Sequence, residues 1–232
     1  MFKGDTMTSN LTITNGELII TCSNDLEKFC YKFIEYYNQH ISKLKSRLAI
    51  NRKINLLVVL TTDPKKVNFV YGKSDFAGFF TNEGAFAYIN LNGKRDEEYM
   101  FNAIMHEIVH HIYKFYIYGK EKERITWVDE GIALFFSGQK KELENSELYN
   151  EFLKINLIKD ATINLNELNH EDRSFNSNNG YNLSYIAIRY LYETKSFEQF
   201  IDIIKDFDNL KDIGTSILEE AYEFYITKKK TL

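Results

Sequence analysis

The order of hydrophobic patterns along the chain constrains its fold more than any other feature. Up to about residue 91, short apolar segments alternate with polar residues or run continuously, as β-strands do. Beyond that point apolar residues recur at helical spacing. The predicted strands cover residues 11–22, 54–61, 67–71 and 84–91, and the predicted later helices cover residues 96–118, 127–138, 144–156, 181–194, 197–208 and 214–227. Strands followed by helices indicate an α+β fold rather than alternating β-α-β units.

Local signals divide the strand-rich region further. Asn15-Gly16 interrupts the first alternating segment and predicts a turn between two strands. Asn24-Asp25 is expected to cap a helix that runs to about Leu48. These signals predict a hairpin and one long helix ahead of the next strand.

Composition excludes several classes of protein. The 232 residues suffice for one large domain or two small lobes. Acidic and basic residues are mixed along the chain and the net charge is −4, so we expect no nucleic-acid partner. No apolar run approaches the roughly 20 residues of a membrane-spanning helix, so we expect no membrane partner. Residues 1–10 are polar and lack a secretion signal, which predicts a cytoplasmic protein, whereas oligomeric state has no signal in the sequence.

One short motif in the helix predicted at 96–118 points to metal chemistry. It consists of His106 and His110 with Glu107 between them. Residues four apart lie on one helix face, so both imidazoles can reach a single ion. Glu107 is offset by one position and can reach a water on that ion without acting as a ligand. The alternative is a helix with two surface or core histidines. His111 points about 100° away from His110 around the helix and is expected to be a structural or surface residue.

A third ligand is expected about twenty residues further along the chain. Asp129 and Glu130 lie at the start of the helix predicted at 127–138. Glu130 can complete a His-His-Glu set, and Asp129 can hydrogen-bond a ligating imidazole. The alternative is a solvated acidic pair, because acidic residues favour helix N-termini. Together with the histidines, the pattern predicts one zinc ion per chain, held by His106, His110 and Glu130.

These motifs resemble those of the gluzincin peptidases, which include thermolysin-like and aminopeptidase-like enzymes. The segment from Trp127 to Ala133 is similar to their Trp-x-x-Glu-Gly-x-Ala motif, and the closest likeness is to compact bacterial peptidase-MA-like domains. The segment from Gly180 to Leu191 resembles the family's helix that follows an oxyanion-stabilising tyrosine. The likeness covers residues 54–225.

The resemblance implies a two-lobed zincin-like fold and a hydrolytic reaction. An N-terminal lobe, residues 1–118, would hold a small mixed sheet and the histidine helix, and a helical C-terminal lobe, residues 119–232, would carry Glu130. Zinc would lie in the cleft, with Glu107 as general base. The resemblance assigns the oxyanion hydrogen bond to Tyr181, with Tyr185 as a second candidate, and core packing is the alternative for either tyrosine. It implies a peptide or protein substrate.

The sequence departs from the family pattern in two ways. The gap between the second histidine and the glutamate is one residue longer than in the aminopeptidases. The segment 83–87 resembles their Gly-Ala-Met-Glu-Asn only in Gly84-Ala85, so the acidic residue that binds a substrate's amino terminus is missing. Endopeptidase activity is therefore favoured over aminopeptidase activity. The strand at 84–91 is expected to form the rim that pairs with substrate, where Ala85 and Ala87 would allow close approach.

Two other interpretations remain at the level of sequence. The first is a catalytically inactive zinc-binding domain for peptide recognition or regulation. Glu107 argues against it, because a structural zinc site gains nothing from a general base. The second is an interaction domain without metal that carries the motif by chance.

Overall fold

The computed structural model describes residues 10–67, 76–119, 122–170 and 173–227. The fold is α+β, with one small sheet and a predominantly helical remainder, as the order of patterns predicts. The chain divides into two compact units, Met1–His111 and Ile112–Leu232. Apart from Val67, the strand predicted at 67–71 lies outside the described residues.

A five-stranded mixed sheet forms the centre of the first unit. Its strands are β1 Asn10–Asn15, β2 Leu18–Ser23, β3 Leu56–Thr61, β4 Phe76–Phe80 and β5 Gly84–Ile89. Their spatial order is β1-β2-β3-β5-β4. The pairs β1–β2 and β4–β5 are antiparallel, whereas β2–β3 and β3–β5 are parallel. The hairpin predicted at Asn15-Gly16 is confirmed, with Gly16 at a φ of 62° that glycine adopts without strain.

The expectation that residues 84–91 form the rim of the sheet is wrong. β5 pairs with β3 on one side and with β4 on the other, so its backbone is already hydrogen-bonded along both edges. A Cβ on Gly84 would lie 1.9 Å from the carbonyl oxygen of Leu57, which shows how closely β3 approaches. Ala85 and Ala87 are buried in the core instead of facing a peptide. The outermost strand of the described sheet at this end is β4, which the sequence patterns did not predict.

Two long helices complete the first unit. They are α1, Glu27–Arg47, and α2, Glu97–Ile112. Phe101 of α2 packs against Phe29 and Phe33 of α1, with ring centroids 5.0 and 5.7 Å away. The predicted cap is wrong in detail: residues 24–26 form a short 3-10 turn and the N-cap position is Leu26. Asp25 instead accepts a hydrogen bond from Thr62, which ties this turn to the end of β3.

The described residues of the second unit form helices and connecting turns, with no strands. The helices are α3 Thr126–Ser137, α4 Ser146–Asp160, α5 Ser174–Ser177, α6 Gly180–Thr194, α7 Phe197–Ile203, α8 Phe207–Ile213 and α9 Ile217–Tyr222, and π-helical turns cover Tyr113–Tyr118 and Glu223–Thr227. The helix predicted at 197–208 is two helices, because Asp206 caps a new one by accepting from two backbone amides. Of the helices in the described ranges, none has both the length and the apolarity needed to cross a bilayer.

Close packing between α3 and α6 organises the core of the second unit. A Cβ on Gly131 would lie 2.5 Å from the carbonyl oxygen of Ser184 and 2.6 Å from Cγ1 of Ile188. Only glycine therefore permits this approach of the two helix backbones. Trp127 is completely buried on α3 and donates an indole hydrogen bond of 3.1 Å to Asn166. The start of α3 is thereby fixed to the segment that follows α4.

Candidate metal centre

Helix α2 brings two imidazoles together on one face. The Nε2 atoms of His106 and His110 lie 2.9 Å apart, with ring centroids 4.5 Å apart and nearly perpendicular ring planes. The two residues are 8% and 3% exposed. Ile104 and Ile108, on the other side of the same helix, are completely buried, so α2 is buried on most of its circumference and its histidines are buried with it. The arrangement follows from the spacing of four residues on a helix.

The neighbours of the two histidines have different environments. Glu107 is partly exposed, unlike the two histidines. His111 is buried, and its Nδ1–H donates a 2.9 Å hydrogen bond to the carbonyl oxygen of Thr81. Burial lowers the pKa of His111, although this hydrogen bond opposes the shift. His111 therefore joins α2 to the turn after β4, in agreement with the structural role that its direction on the helix predicts.

Strand β4 ends beside one of these imidazoles. The ring of Phe80, the last residue of β4, stacks on the ring of His110 with centroids 5.0 Å apart and an interplanar angle of 18°. Within the first unit, the outermost described strand therefore ends in contact with a candidate ligand. The hydrogen bond from His111 to Thr81 holds the same turn.

Glu130 is buried near the start of α3. Only 5% of the residue is exposed, and the preceding Asp129 is 2% exposed. Buried carboxylates are costly unless they are paired with cations, hydrogen-bond donors or a metal ion. The position of Glu130 depends on two neighbours in sequence, because Trp127 anchors the first turn of α3 and Gly131 allows α6 to approach.

His106, His110 and Glu130 form a group that could bind a metal ion. All three are buried, and one ligand atom from each lies within 4.8 Å of the other two. Two imidazoles and one carboxylate are also the donor set of a catalytic site with one open position. The residues present therefore fit a metal ion, and their donor set is one that zinc accepts.

Two side chains that the sequence did not single out contact Glu130. Arg124 donates from Nη2 to Glu130 Oε1 at 2.8 Å, and its Nε pairs with Asp129. His170 Nε2 lies 3.1 Å from the same Oε1 atom. The one available signal was that His170 is the only histidine after residue 111. Arg124 and His170 also line a cavity of about 540 Å³ in the second unit, together with Trp127.

The two candidate tyrosines of α6 have very different surroundings. Tyr181 is 40% exposed, and its ring lies 5.9 Å from that of His170 and 4.9 Å from that of Phe175. Tyr185 is 3% exposed and its hydroxyl accepts a 3.3 Å hydrogen bond from Arg189. Burial raises the pKa of Tyr185. The surroundings of Tyr185 indicate a packing role, whereas Tyr181 neighbours a residue that contacts Glu130.

Comparison with known proteins gives no assignment: no protein-family model matches the chain, and no curated protein matches it. The resemblance to gluzincins therefore rests on the two motifs and on the residues around them.

Proposed function

We propose that this protein is a zinc-dependent metallopeptidase with a zincin-like fold that hydrolyses internal peptide bonds. The observation that carries the proposal is the buried group of His106, His110 and Glu130, accompanied by the partly exposed Glu107 on the same helix. A structural zinc site normally closes with four protein ligands. Three protein ligands leave a position open for water, and Glu107 on the same helix can serve as the general base that hydrolysis requires.

The reaction assigns a separate task to each residue. His106, His110 and Glu130 would hold the zinc ion, which when bound supplies a Lewis acid and lowers the pKa of water. Glu107 accepts a proton from the attacking water and delivers it to the leaving amine. Tyr181 donates its phenolic hydrogen bond to the oxygen that develops negative charge on the substrate carbonyl.

The substrate is proposed to bind as an extended peptide along β4. Edge strands accept added strands through backbone hydrogen bonds, which tolerate many side chains. β4 occupies the outermost position of the described sheet at this end, and its last residue, Phe80, stacks on His110. A peptide in this position would pass beside the metal ligands. No acidic residue of the segment 83–87 matches the family's amino-terminus-binding acid, which favours internal cleavage.

The decisive test compares the purified protein with Glu107→Gln and His110→Ala. Metal content is measured first, followed by cleavage of a quenched fluorescent peptide library, with mass spectrometry of the products. We expect one zinc per chain in the natural protein and in Glu107→Gln, and loss of zinc from His110→Ala. Glu107→Gln should reduce turnover by a factor of about 10² to 10⁴, because the general base is lost while the ligands remain.

Each alternative gives a different result. Cleavage by Glu107→Gln at the natural rate would refute the mechanism. A protein that binds zinc and binds peptides but cleaves none would be the inactive recognition domain. A protein that takes up no zinc even when it is supplied would remove the basis for an enzyme. Products cut only at the amino terminus would refute the assignment as an endopeptidase.

A further inference from the structure

We propose that His170 is a positioning residue that orients the carboxylate of Glu130 for metal binding. The inference rests on the metal site of the proposed function, and it concerns a residue that the motifs do not include. His170 lies in the connection between the short 3-10 turn Leu165–Glu167 and helix α5. It contacts Glu130 from a separate part of the second unit, 40 residues away in sequence.

The contact has a defined donor and acceptor. An ionised carboxylate only accepts hydrogen bonds, so His170 Nε2 must carry the proton that it shares with Glu130 Oε1 at 3.1 Å. Arg124 Nη2 donates to the same oxygen at 2.8 Å. Two donors that hold the same oxygen atom restrict the rotation of the carboxylate group. Restricting that rotation before the metal arrives reduces the entropy lost on binding.

Packing holds the imidazole in place for this contact. The ring of Phe175 lies 4.6 Å from the ring of His170 at an interplanar angle of 54°, and Tyr181 contacts it at 5.9 Å. Phe175 is completely buried. A Cβ on Gly180 would lie 2.6 Å from the carbonyl oxygen of Phe175, so the start of α6 presses closely on this residue. The imidazole is therefore held by the same helix that carries Tyr181.

His170 is better suited to positioning than to serving as an additional ligand. It is not among the three residues whose ligand atoms lie within 4.8 Å of one another. Its ring nitrogen is instead directed at the ligand Glu130. Partners of this kind, which hold a ligand rather than the ion, commonly change metal affinity ten- to a hundredfold when removed.

The test uses two amide substitutions that differ in reach. The amide nitrogen of glutamine can occupy the position of His170 Nε2, whereas that of asparagine is too short to do so. Zinc affinity is measured by competition with a chromophoric chelator for the natural protein, His170→Asn and His170→Gln. We expect His170→Asn to weaken zinc binding about ten- to a hundredfold and His170→Gln to restore most of the affinity.

A second readout separates positioning from packing. The visible absorption of the cobalt-substituted protein should change in His170→Asn and return towards the natural spectrum in His170→Gln. Lys211→Met is the control, because Lys211 lines the same cavity and forms an ion pair with Glu123 rather than with Glu130. This control should bind zinc as tightly as the natural protein. If His170→Asn fails to fold, His170→Ser replaces it with the same expectation.

Two outcomes would overturn the inference. One is equal zinc affinity in all folded variants. The other is an equal loss of zinc affinity in His170→Asn and His170→Gln, together with reduced thermal stability of both zinc-free variants. Lost packing would then explain the weaker zinc binding. A natural protein that binds zinc but cleaves no peptide would refute the peptidase proposal alone, and the affinity comparison would still decide the role of His170.

Discussion

Replacing Gly131 with alanine tests whether close helix packing beside Glu130 sets the geometry of the site. The new Cβ would meet the carbonyl oxygen of Ser184 at 2.5 Å and Cγ1 of Ile188 at 2.6 Å. Carbon contacts are normally about 3.5 Å or more, so α3 and α6 would have to separate by roughly 1 Å. The carbonyl belongs to the backbone of α6 and cannot rotate away as a side chain can.

Two opposing terms set the magnitude of this effect. Overpacking in a core costs about 1–3 kcal/mol, and two contacts well below 3 Å place Gly131→Ala near the upper end. Alanine is favoured over glycine inside a helix by about 1 kcal/mol. The expected net loss is therefore about 2 kcal/mol, which lowers the melting temperature by about 4–8 °C in a chain of this size.

Thermal unfolding of the zinc-free protein, monitored by circular dichroism, measures this loss. Helix propensity alone predicts the opposite sign, so a melting temperature above that of the natural protein would refute the packing argument. Zinc affinity should fall in the same variant, because Gly131 directly follows Glu130 in α3. Unchanged affinity together with lower stability would show that the site tolerates the shift of the helix.

Two further predictions concern charged residues. Arg124→Met removes the cation shared by Asp129 and Glu130. This change should destabilise the zinc-free protein by about 1–3 kcal/mol. The loss is smaller than that on breaking a fully buried ion pair, because the Arg124 side chain is 39% exposed. In urea unfolding, added zinc should restore part of the lost stability, because the charge of the ion replaces that of the guanidinium. An equal loss of unfolding free energy with and without zinc would contradict this expectation. The backbone N–H of Ile54 and the ammonium of Lys45 hold the pKa of Glu17 below its ordinary value. The ionised Glu17 therefore stabilises the fold at neutral pH, and this contribution is lost as the pH falls and the carboxylate is protonated. In urea unfolding, the deficit of Glu17→Gln should be constant near neutrality and shrink in acid; a deficit independent of pH would contradict the assignment.

The sequence by itself determined the local features of this protein. The change from strand-like to helical patterns predicted the α+β fold, and Asn15-Gly16 predicted the first hairpin. The pairing of His106 with His110 needed only the 3.6-residue period of one helix, because residues four apart must share a face. Such features depend on residues only a few positions apart, so they can be predicted from the sequence.

The tertiary structure decided which distant segments meet. The prediction that the strand at 84–91 forms the rim failed because strand order depends on long-range pairing, and β4 covers that edge. Arg124 and His170 carry no motif, yet both contact Glu130, since the packing of α3 against α6 fixes where their segments lie. Hydrogen bonds between residues up to 40 positions apart leave no periodic trace in the sequence. The three residues of the candidate metal group could therefore be proposed from the sequence, whereas the side chains that contact Glu130 could be found only in the folded chain.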